Sequence, residues 1–432
     1  MTLRNIFTSC LVLAFAPGCS PIVDSMLKNL IEDATQDAAT DAADDGSDGD
    51  ADAAGDAPVD VPVDVPADFS GFECFEDDTV ESPPCEPPVQ CRDGTVECQE
   101  KCDSDEDPCD AFCLFFTNTC TVTRDFRKPV DLVVDGIHIY VVDEEDCTVK
   151  HVRKSDGAAD LFAGASGDCG DTIDPLRLDH PVGIAKLKNY LFVVDASNSR
   201  IVRIDIDTHS ARVAVGTGGY CAVPFEGAFK PRGIVGDGDN TLYVSDHAAD
   251  LIYRIERAGD EDNCGVFNYS GSGGDLNDPT GLAYHDKLLY IADTENHKIK
   301  MIDTSITMPP YVVHTIAGTG AGGFQDGRGA QARFKSPVGV AVDPQGLVLI
   351  VSDQANDLIR EIELTSGEYS VSTFAGALNT PASGDYCKIP IANGGAARVN
   401  SPSGAAFDTD APPFNRRFYF CDTGCEAVKL GK

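Results

Sequence analysis

The feature of this sequence that most constrains its fold is a six-fold internal repeat across residues 121–432. Each copy contains one aspartate in a fixed position, and the residues two, three and four places before it are always apolar or aromatic. These register aspartates are Asp143, Asp195, Asp246, Asp293, Asp353 and Asp422. One such unit cannot bury its apolar face alone, so the repeat predicts equivalent units packed against one another.

Within each copy, the residues predict short β-strands. Runs rich in β-branched and aromatic residues lie on both sides of the register aspartate, and turn residues separate them. Apolar side chains occur at both the odd and the even positions of each run, and these positions point to opposite faces of a sheet. Both faces of each sheet are therefore expected to be covered. Helices would need longer runs with a period of 3.6 residues. The repeat therefore indicates an all-β fold.

A second marker precedes each strand pair and indicates where the innermost strand begins. Five copies carry a Pro-x-Gly sequence, starting at Pro181, Pro231, Pro279, Pro337 and Pro402. The first copy, Pro129-Val130-Asp131, lacks the glycine. Proline is tolerated at the first position of a strand, and glycine lets a neighbouring backbone approach closely.

A fourth strand is visible in copies one, two, four and five, as ADLFAG, ARVAVG, VHTIAG and VSTFAG. Copy six shows no such segment before Lys432. We therefore expect CTVTRDF, from Cys120 to Phe126, to pair with copy six as its outer strand. Such a closure would remove the exposed sheet edge and join the two ends of the repeat array.

These copies resemble the NHL repeat. The stretch IADTENHKI, Ile291 to Ile299, is close to the sequence that names the repeat, and Gly323 to Asp343 resembles the connector and inner strand of bacterial NHL proteins. The resemblance implies a six-bladed β-propeller over residues 120–432, with four-stranded blades around a central channel. It also implies a binding or assembly platform in most cases, although some relatives are lyases that hold zinc and calcium in the channel.

The N-terminal residues indicate export. Arg4 precedes an apolar run from Ile6 to Ala16, which predicts a signal sequence over residues 1–18. Ala14-Phe15-Ala16 suits an ordinary signal peptidase, whereas Ala16-Pro17-Gly18-Cys19 resembles a bacterial lipobox. We favour the lipobox, which predicts lipidation of Cys19 and an outer-membrane lipoprotein of the bacterial cell envelope. The other site predicts a secreted protein.

An acidic linker is predicted over residues 19–70. Residues 31–70 contain thirteen Asp or Glu and no Lys or Arg, and such a segment has too few apolar residues to form a core. The whole chain has a net charge of −38, so no basic surface is expected for nucleic acid. We expect no cofactor, with structural calcium at acidic loops left open.

A small cysteine-rich module is predicted over residues 71–119. Its cysteines, together with the one at the start of the propeller, are Cys74, Cys85, Cys91, Cys98, Cys102, Cys109, Cys113 and Cys120. In an exported chain with little apolar core these predict four disulfides, whose pairing the sequence leaves open. The alternative is zinc at the two Cys-x3-Cys pairs, although this stretch contains no histidine.

Seven further cysteines fall in the propeller, and the odd number predicts at least one thiol that is free or paired outside it. They are Cys147, Cys169, Cys221, Cys264, Cys387, Cys421 and Cys425. Because Cys421 and Cys425 flank an Asp-Thr-Gly turn, they are candidates for a disulfide across it.

No catalytic or metal-binding residue is predicted. The histidines occupy unrelated positions of the repeat, and neither a Gly-x-Ser-x-Gly elbow nor a phosphate-binding loop is present. The register aspartates recur in every copy, so we interpret them as architectural residues that accept hydrogen bonds from amides of the following turn.

The function predicted from these observations is a non-enzymatic, extracytoplasmic binding or scaffold module for a protein, peptide or glycan. Binding is expected on the two long connectors, Ala317–Phe334 and Gly376–Val399. Membrane contact is expected through the lipid anchor alone. Two alternatives stay open: a metal-dependent lyase or hydrolase with a site in the channel, and a purely structural envelope protein.

Overall fold

The computed structural model describes residues 119–221, 229–270, 275–306, 311–377, 399–411 and 416–431. These residues form 24 β-strands, arranged as six four-stranded antiparallel sheets. Two single-turn 3-10 helices, Gln354–Asn356 and Thr423–Cys425, follow the second strands of the last two sheets. The predicted signal sequence, acidic linker and all but the last residue of the cysteine-rich module lie outside the described residues.

Five blades take their four strands from consecutive sequence, ordered from the channel outwards. Blade 1 contains β2 (Pro129–Asp135), β3 (His138–Asp143), β4 (Thr148–Arg153) and β5 (Ala159–Gly164). Blade 2 contains β6 (Pro181–Leu187), β7 (Tyr190–Asp195), β8 (Arg200–Asp205) and β9 (Ala211–Val215). Blade 3 contains β10 (Pro231–Gly236), β11 (Thr241–Asp246), β12 (Leu251–Glu256) and β13 (Gly265–Asn268).

The fourth and fifth blades repeat this order. Blade 4 contains β14 (Pro279–His285), β15 (Leu288–Asp293), β16 (Lys298–Asp303) and β17 (Val313–Ala317). Blade 5 contains β18 (Pro337–Val342), β19 (Val348–Asp353), β20 (Leu358–Glu363) and β21 (Val371–Gly376). The predicted six-bladed propeller is thereby confirmed, and each Pro-x-Gly marker lies at the start of an innermost strand.

The sixth blade combines both ends of the described chain. It contains β22 (Pro402–Phe407), β23 (Phe418–Asp422), β24 (Ala427–Gly431) and, as its outer strand, β1 (Thr119–Thr123). Strand β1 pairs antiparallel with β24, from Thr119 opposite Gly431 to Thr123 opposite Val428. The predicted ring closure is confirmed, although the strand ends at Thr123, before Phe126.

Six apolar cores hold the blades together, one between each pair of neighbours. Between blades 1 and 2, for example, Val142 of β3 packs in the same cluster as Leu191 of β7. Both faces of every sheet are therefore covered, as the apolar residues at odd and even strand positions predicted. The innermost strand of each blade lies at the edge of its sheet and lines the channel.

The marker glycines permit close approach between neighbouring innermost strands. A Cβ on Gly233 would meet the carbonyl oxygen of Thr280 in the next blade, and one on Gly339 would meet that of Ser403, at separations that real Cβ atoms do not show. Gly183 and Gly281 face carbonyl oxygens of the next blade in the same way. Glycine is required because the backbone of the next blade occupies the space of a side chain.

Candidate functional site

The six register aspartates lie where the second strand of each blade ends, with exposed fractions of 0% to 1%. Each carboxylate accepts a backbone N–H, at 2.7–3.1 Å, from the residue one or two places before the proline of its own blade. These donors are Lys128, Asp179, Lys230, Asn277, Lys335 and Asn400. The aspartates thus fasten the start of the first strand to the end of the second.

This arrangement differs from the expected one, in which amides of the following turn were the donors. Among the described hydrogen bonds, Asp246 alone has such donors, the amides of Ala248 and Ala249 at 3.1 Å. In the other blades a side chain donates to the second carboxylate oxygen of the aspartate instead. Asn198, three residues after Asp195, donates its amide N–H at 2.9 Å.

A cation accompanies five of the six aspartates, and four of these cations are buried. Lysine or arginine stands seven residues after the aspartate in blades 1, 4, 5 and 6, and five residues after it in blade 2. The pairs are Lys150–Asp143 at 3.0 Å, Arg200–Asp195 at 2.6 Å, Lys300–Asp293 at 3.2 Å, Arg360–Asp353 at 2.8 Å and Lys429–Asp422 at 2.5 Å. In blade 3 the seventh position is Tyr253. Sequence reasoning missed this set, although its regular spacing could have revealed it.

Burial outweighs the attraction of these cations at three of the aspartates. Loss of solvation raises the pKa of Asp195, Asp353 and Asp422, while the hydrogen bonds and the paired cation lower it by less. A buried ion pair commonly costs as much in lost solvation as it gains in attraction. We therefore interpret these pairs as positioning devices.

The cations also bind the connectors, which run from the outer strand of one blade to the inner strand of the next. Arg360 is fully buried and donates to the carbonyl oxygens of Arg333 and Gln325, at 3.1 and 3.0 Å, and to Asp326 at 2.6 Å. The aromatic rings of Phe324 and Phe334 pack over its guanidinium group. One side chain therefore holds the connector between blades 4 and 5.

Other blades use the same contact. Arg200 donates to the carbonyl oxygens of Asp171 and Arg177, and Lys150 to that of Asp125. Because connectors and register aspartates lie at the same end of the ring, we name this end the connector face. Of the two connectors predicted to bind a partner, Ala317–Phe334 lies on this face, and residues 378–398 of the other lie outside the described residues.

Disulfides reinforce two connectors. Cys147, in the turn after Asp143, is bonded to Cys169 in the connector between blades 1 and 2. Cys221, in the connector after β9, is bonded to Cys264 just before β13. The sequence showed these cysteines but no pairing, because their separations of 22 and 43 residues carry no geometric information.

The candidate disulfide between Cys421 and Cys425 is wrong. Cys421 lies in β23 as a free, buried thiol, whereas Cys425 is disulfide-bonded to another cysteine. The side chain of Cys421 packs in the core between blades 6 and 1, so it is directed away from the turn. Burial raises its pKa well above the ordinary value, which favours the uncharged thiol. The free thiol agrees with the odd cysteine count.

The other predicted cysteine sites stay predictions. Cys120 lies in β1, where its backbone is opposite Leu430. The lipidation site Cys19 and the remaining candidates lie outside the described residues, from Cys74 to Cys113.

The channel along the axis has a volume of about 650 Å³, and the innermost strands of all six blades line it. Its charged groups lie mainly towards the two ends. Lys128, Glu144 and Arg232 lie towards the connector face, and Lys186 and His285 towards the opposite end. Lys128 is paired with Glu144 at 2.8 Å, and Lys186 with Asp135 at 2.7 Å.

Asp131 breaks the symmetry of this channel. It occupies the place of the marker glycine in blade 1, and it lines the channel wall as a partly exposed side chain. Its two carboxylate oxygens accept the N–H groups of Leu132 and of Ile184 in blade 2, each at 3.0 Å. Gly404 of blade 6 lies so close that a Cβ there would overlap the carboxylate. Asp131 thus contacts blades 2 and 6.

The structure brings together two histidines that the sequence left scattered. Nδ1 of His138 and Nε2 of His151 lie 2.7 Å apart on neighbouring strands of blade 1. Burial lowers the pKa of His151, and the adjacent His138 lowers it further.

Among the described residues, one group has three metal-ligand atoms close together: Cys147, Cys169 and Asp179. Its two sulfur atoms form a disulfide, so they offer no thiolate.

Comparison with curated proteins places NHL repeat-containing proteins among the relatives. The chain is 30% identical over 222 residues to the chloroplastic protein SUPPRESSOR OF QUENCHING 1 of Arabidopsis thaliana, which covers 50% of this chain and 17% of that protein. It is 26% identical over 183 residues to human NHL repeat-containing protein 2, covering 39% and 19%. The chain thus spans less than a fifth of these relatives. No protein-family model matches it.

Several solved structures share the propeller architecture. Auxiliary nutrient binding proteins from Bacteroides thetaiotaomicron and Bacteroides ovatus are each 16% identical, with TM-scores of 0.52 and 0.53, and cover 71% of this chain and 69% of theirs. A putative phosphatase from Bacteroides thetaiotaomicron is 14% identical, with a TM-score of 0.53 and 72% coverage of both chains. Such likenesses show the fold and leave the activity open.

The described part of the chain contains only short helices of a single turn. None of its helices has the length and apolar character that crossing a bilayer requires.

Proposed function

Because this chain is an NHL-repeat β-propeller, we propose that it is a non-catalytic binding module that holds a protein, peptide or glycan on its connector face. The observation that carries this proposal is the attachment of the connectors to buried cations, above all by Arg360. A loop held in one conformation before binding loses little entropy when a partner arrives. The connector face therefore suits recognition better than a set of mobile loops would.

The connector between blades 4 and 5 is the best-defined part of this surface. Ala332 and Phe334 are buried in the core between these blades, which anchors its second half. Residues 319–322 and 324–328 remain exposed apart from the half-buried residue 323 between them, and Phe324 presents 38% of its surface. An exposed aromatic ring over a fixed guanidinium group is a typical anchor for a partner.

The structural neighbours described as auxiliary nutrient binding proteins support a binding role for this architecture. We extend that role to this chain as part of the proposal. A purely structural envelope protein would share the fold but would lack a saturable ligand.

The location that we propose is outside the cytoplasm. Disulfides such as Cys147–Cys169 and Cys221–Cys264 persist in oxidising compartments, which supports export. We further propose that Cys19 carries the lipid anchor of a cell-envelope lipoprotein. Metabolic labelling with a lipid precursor tests this: the label should be incorporated into the wild-type protein and be lost in Cys19→Ala.

Binding on the connector face is tested with arrays of immobilised peptides and glycans, followed by titration of any ligand found. Phe324→Ser should weaken binding at least tenfold, because it removes the exposed ring from the connector. Leu347→Ser is the matched control: Leu347 exposes 37% of its surface and lies in the turn after β18, at the opposite end of the ring. Equal affinities in both variants, or no saturable ligand at all, would contradict the proposal.

The alternative function is a metal-dependent lyase or hydrolase with its site in the channel. Elemental analysis of the purified protein distinguishes the two. A stoichiometric transition metal whose removal abolishes an activity would replace our proposal with this one. Calcium alone would leave the proposal standing, since acidic loops bind calcium for structural reasons.

A further inference from the structure

The channel has the properties of a second binding site, separate from the connector face. Its volume of about 650 Å³ falls within the range of roughly 300–1,000 Å³ that is typical of small-molecule sites. Valines and other apolar residues contribute much of its wall, among them Val130, Val182 and Val338. Such a wall suits the apolar body of a small ligand.

The hydroxyl groups next to two of the marker glycines, those of Thr280 and Ser403, already have partners within the protein. Thr280 Oγ1 lies 2.7 Å from Thr294 Oγ1 and donates to the carbonyl oxygen of Val338. Ser403 Oγ lies 2.7 Å from Thr423 Oγ1, which donates to the carbonyl oxygen of Pro129. These two hydroxyl groups are therefore already engaged and not free to orient a ligand.

Asp131 is the acidic group at the level of the marker glycines, and the blade architecture does not require it. Blades 2 to 6 build the same innermost strand with glycine at its position. Its side chain also comes close to Gly404, where any other residue would collide with it. A carboxylate at the one place where the five other blades have glycine is a candidate for a role beyond folding.

The protein supplies no cation for this carboxylate among the described residues. Five buried register aspartates have a lysine or arginine within 3.2 Å, whereas Asp131 has two backbone N–H groups and no ion pair. Of the cations that line the channel, Lys128 is paired with Glu144, Lys186 is paired with Asp135, and Arg232 lies towards the connector face and makes no described ion pair with Asp131. A carboxylate that has lost much of its hydration at the channel wall and has no counterion is costly, so an incoming cation would gain by pairing with it.

We propose that the channel binds a small organic ligand with a protonated amine, which pairs with the carboxylate of Asp131 while its apolar part contacts the channel valines. A divalent metal ion fits less well, because such ions take six or more oxygen ligands and often several carboxylates. Asp131 is the carboxylate at the level of the marker glycines, and Glu144 lies at the end of the channel, where it is paired with Lys128.

The raised pKa of Asp131 is consistent with a carboxylate that lacks a counterion in the free protein. Burial raises its pKa from 3.8 to about 7, against the effect of the Ile184 and Leu132 amides. A bound ammonium group stabilises the carboxylate form and lowers this pKa. Amine binding should therefore strengthen as the pH rises from 5.5 to 8, and at pH 6.5 it should release a proton.

The experiment is isothermal titration calorimetry of the purified protein with n-hexylammonium ion and with 1-hexanol, its neutral counterpart. We expect hexylammonium to bind at one site, at least tenfold more tightly than hexanol at pH 8. Titrations in two buffers with different ionisation enthalpies measure the released proton. Asp131→Asn should weaken amine binding at least tenfold and abolish the proton release.

Two control variants make the result specific. Asp160→Asn changes an exposed aspartate on the outer strand of the same blade and should leave amine binding unchanged. Asp131→Gly restores the residue of the other blades and should also lose amine binding, which guards against a folding defect peculiar to asparagine.

Three outcomes would overturn the proposal: equal affinity for hexylammonium and hexanol, unchanged amine binding in Asp131→Asn, or no amine binding with calcium bound at Asp131 instead. Phe324→Ser should retain amine binding. The channel site and the connector-face function can therefore fail independently.

Discussion

At the third position of the innermost strand, five blades have glycine and blade 1 has Asp131. The difference is visible in the sequence as the one incomplete Pro-x-Gly marker. Its meaning is not visible there, because it depends on the Ile184 amide of the next blade and on the space beside Gly404. A local departure from a repeat thus becomes a channel group through contacts that are 53 and more residues away in sequence.

Asp131 should make the stability of the propeller depend on pH. Because its pKa in the folded protein is about 7 and its ordinary value is 3.8, the folded state holds this proton more tightly than the unfolded chain does. Its ionisation therefore lowers the free energy of unfolding as the pH rises from about 4 to 7. The full shift corresponds to up to about 4 kcal/mol, less where solvent in the channel screens the charge.

Urea unfolding of the wild type and Asp131→Asn at pH 4 and pH 8 measures this contribution. The variant should gain about 2 to 4 kcal/mol relative to the wild type between the two pH values. Comparing the two proteins cancels the pH dependence of the other buried acids. A constant difference across this range would show that Asp131 is not buried as a perturbed acid.

Other residues show the same limit of sequence reasoning. The register aspartates could be found because they recur, but the donors to them could not, since these lie 15 to 22 residues earlier in the chain. The free thiol of Cys421 was missed for a related reason. Closeness in sequence suggested a disulfide with Cys425, whereas the alternation of β23 directs Cys421 into the core.

Among the elements, the connectors depend most on single side chains. The connector between blades 4 and 5 has few apolar contacts in its first half, and Arg360 supplies hydrogen bonds to Gln325 and Asp326 there. The cation thus links a strand, a register aspartate and a loop.

Arg360→Met should therefore loosen the connector as well as the blade. Removing one partner of a buried ion pair typically costs about 3 to 5 kcal/mol, because the other partner is left as an unpaired buried charge. Arg360→Lys should cost less than Arg360→Met, because it keeps the charge and blades 1, 4 and 6 have lysine at the equivalent position, but it should still lose the forked contacts of the guanidinium group. Urea unfolding measures both values.

Limited trypsin digestion shows whether the connector itself is affected. Cleavage after Arg328, an exposed residue of the connector, should be faster in Arg360→Met than in Arg360→Lys or the wild type. Equal cleavage rates in all three proteins would mean that the connector is held by its own contacts.

Most strands were predictable because the repeat places them, and the exceptions have physical causes. Strand β13 has four residues, Gly265–Asn268, and the sequence did not show it because its apolar signal is Val266 and Phe267 alone. Its position is fixed instead by β12 and by the Cys221–Cys264 disulfide, neither of which a local pattern reveals.

For the molecule as a whole, the decisive pairing is that of β1 with β24. It joins residues more than 300 positions apart in sequence, and it makes a closed ring from an open row of sheets. This pairing could be predicted because copy six lacked one strand and a suitable segment preceded copy one. The shape of the channel could not be predicted, because it depends on how six sheets pack together.

Thr121→Pro tests this closure. Proline at the centre of β1 removes a backbone donor and restricts the strand, so pairing with β24 should weaken. Because β1 leads directly into blade 1 and pairs with blade 6, hydrogen exchange should become faster in both blades. Thr315→Pro is the matched control at the centre of the five-residue outer strand β17, and its effect should stay within blade 4. Faster exchange confined to β1 and β24 would show that the ring does not depend on its closing strand.

The closing strand also determines how the ring responds to mechanical force. Any tension on the segment before Thr119 reaches β1 first, and β1 is held in its sheet by β24 alone. A pull along the strand axis loads all the hydrogen bonds of the pair together, whereas a sideways pull opens them one after another from Thr119. The propeller as a whole is then only as resistant to tension from that side as one five-residue strand.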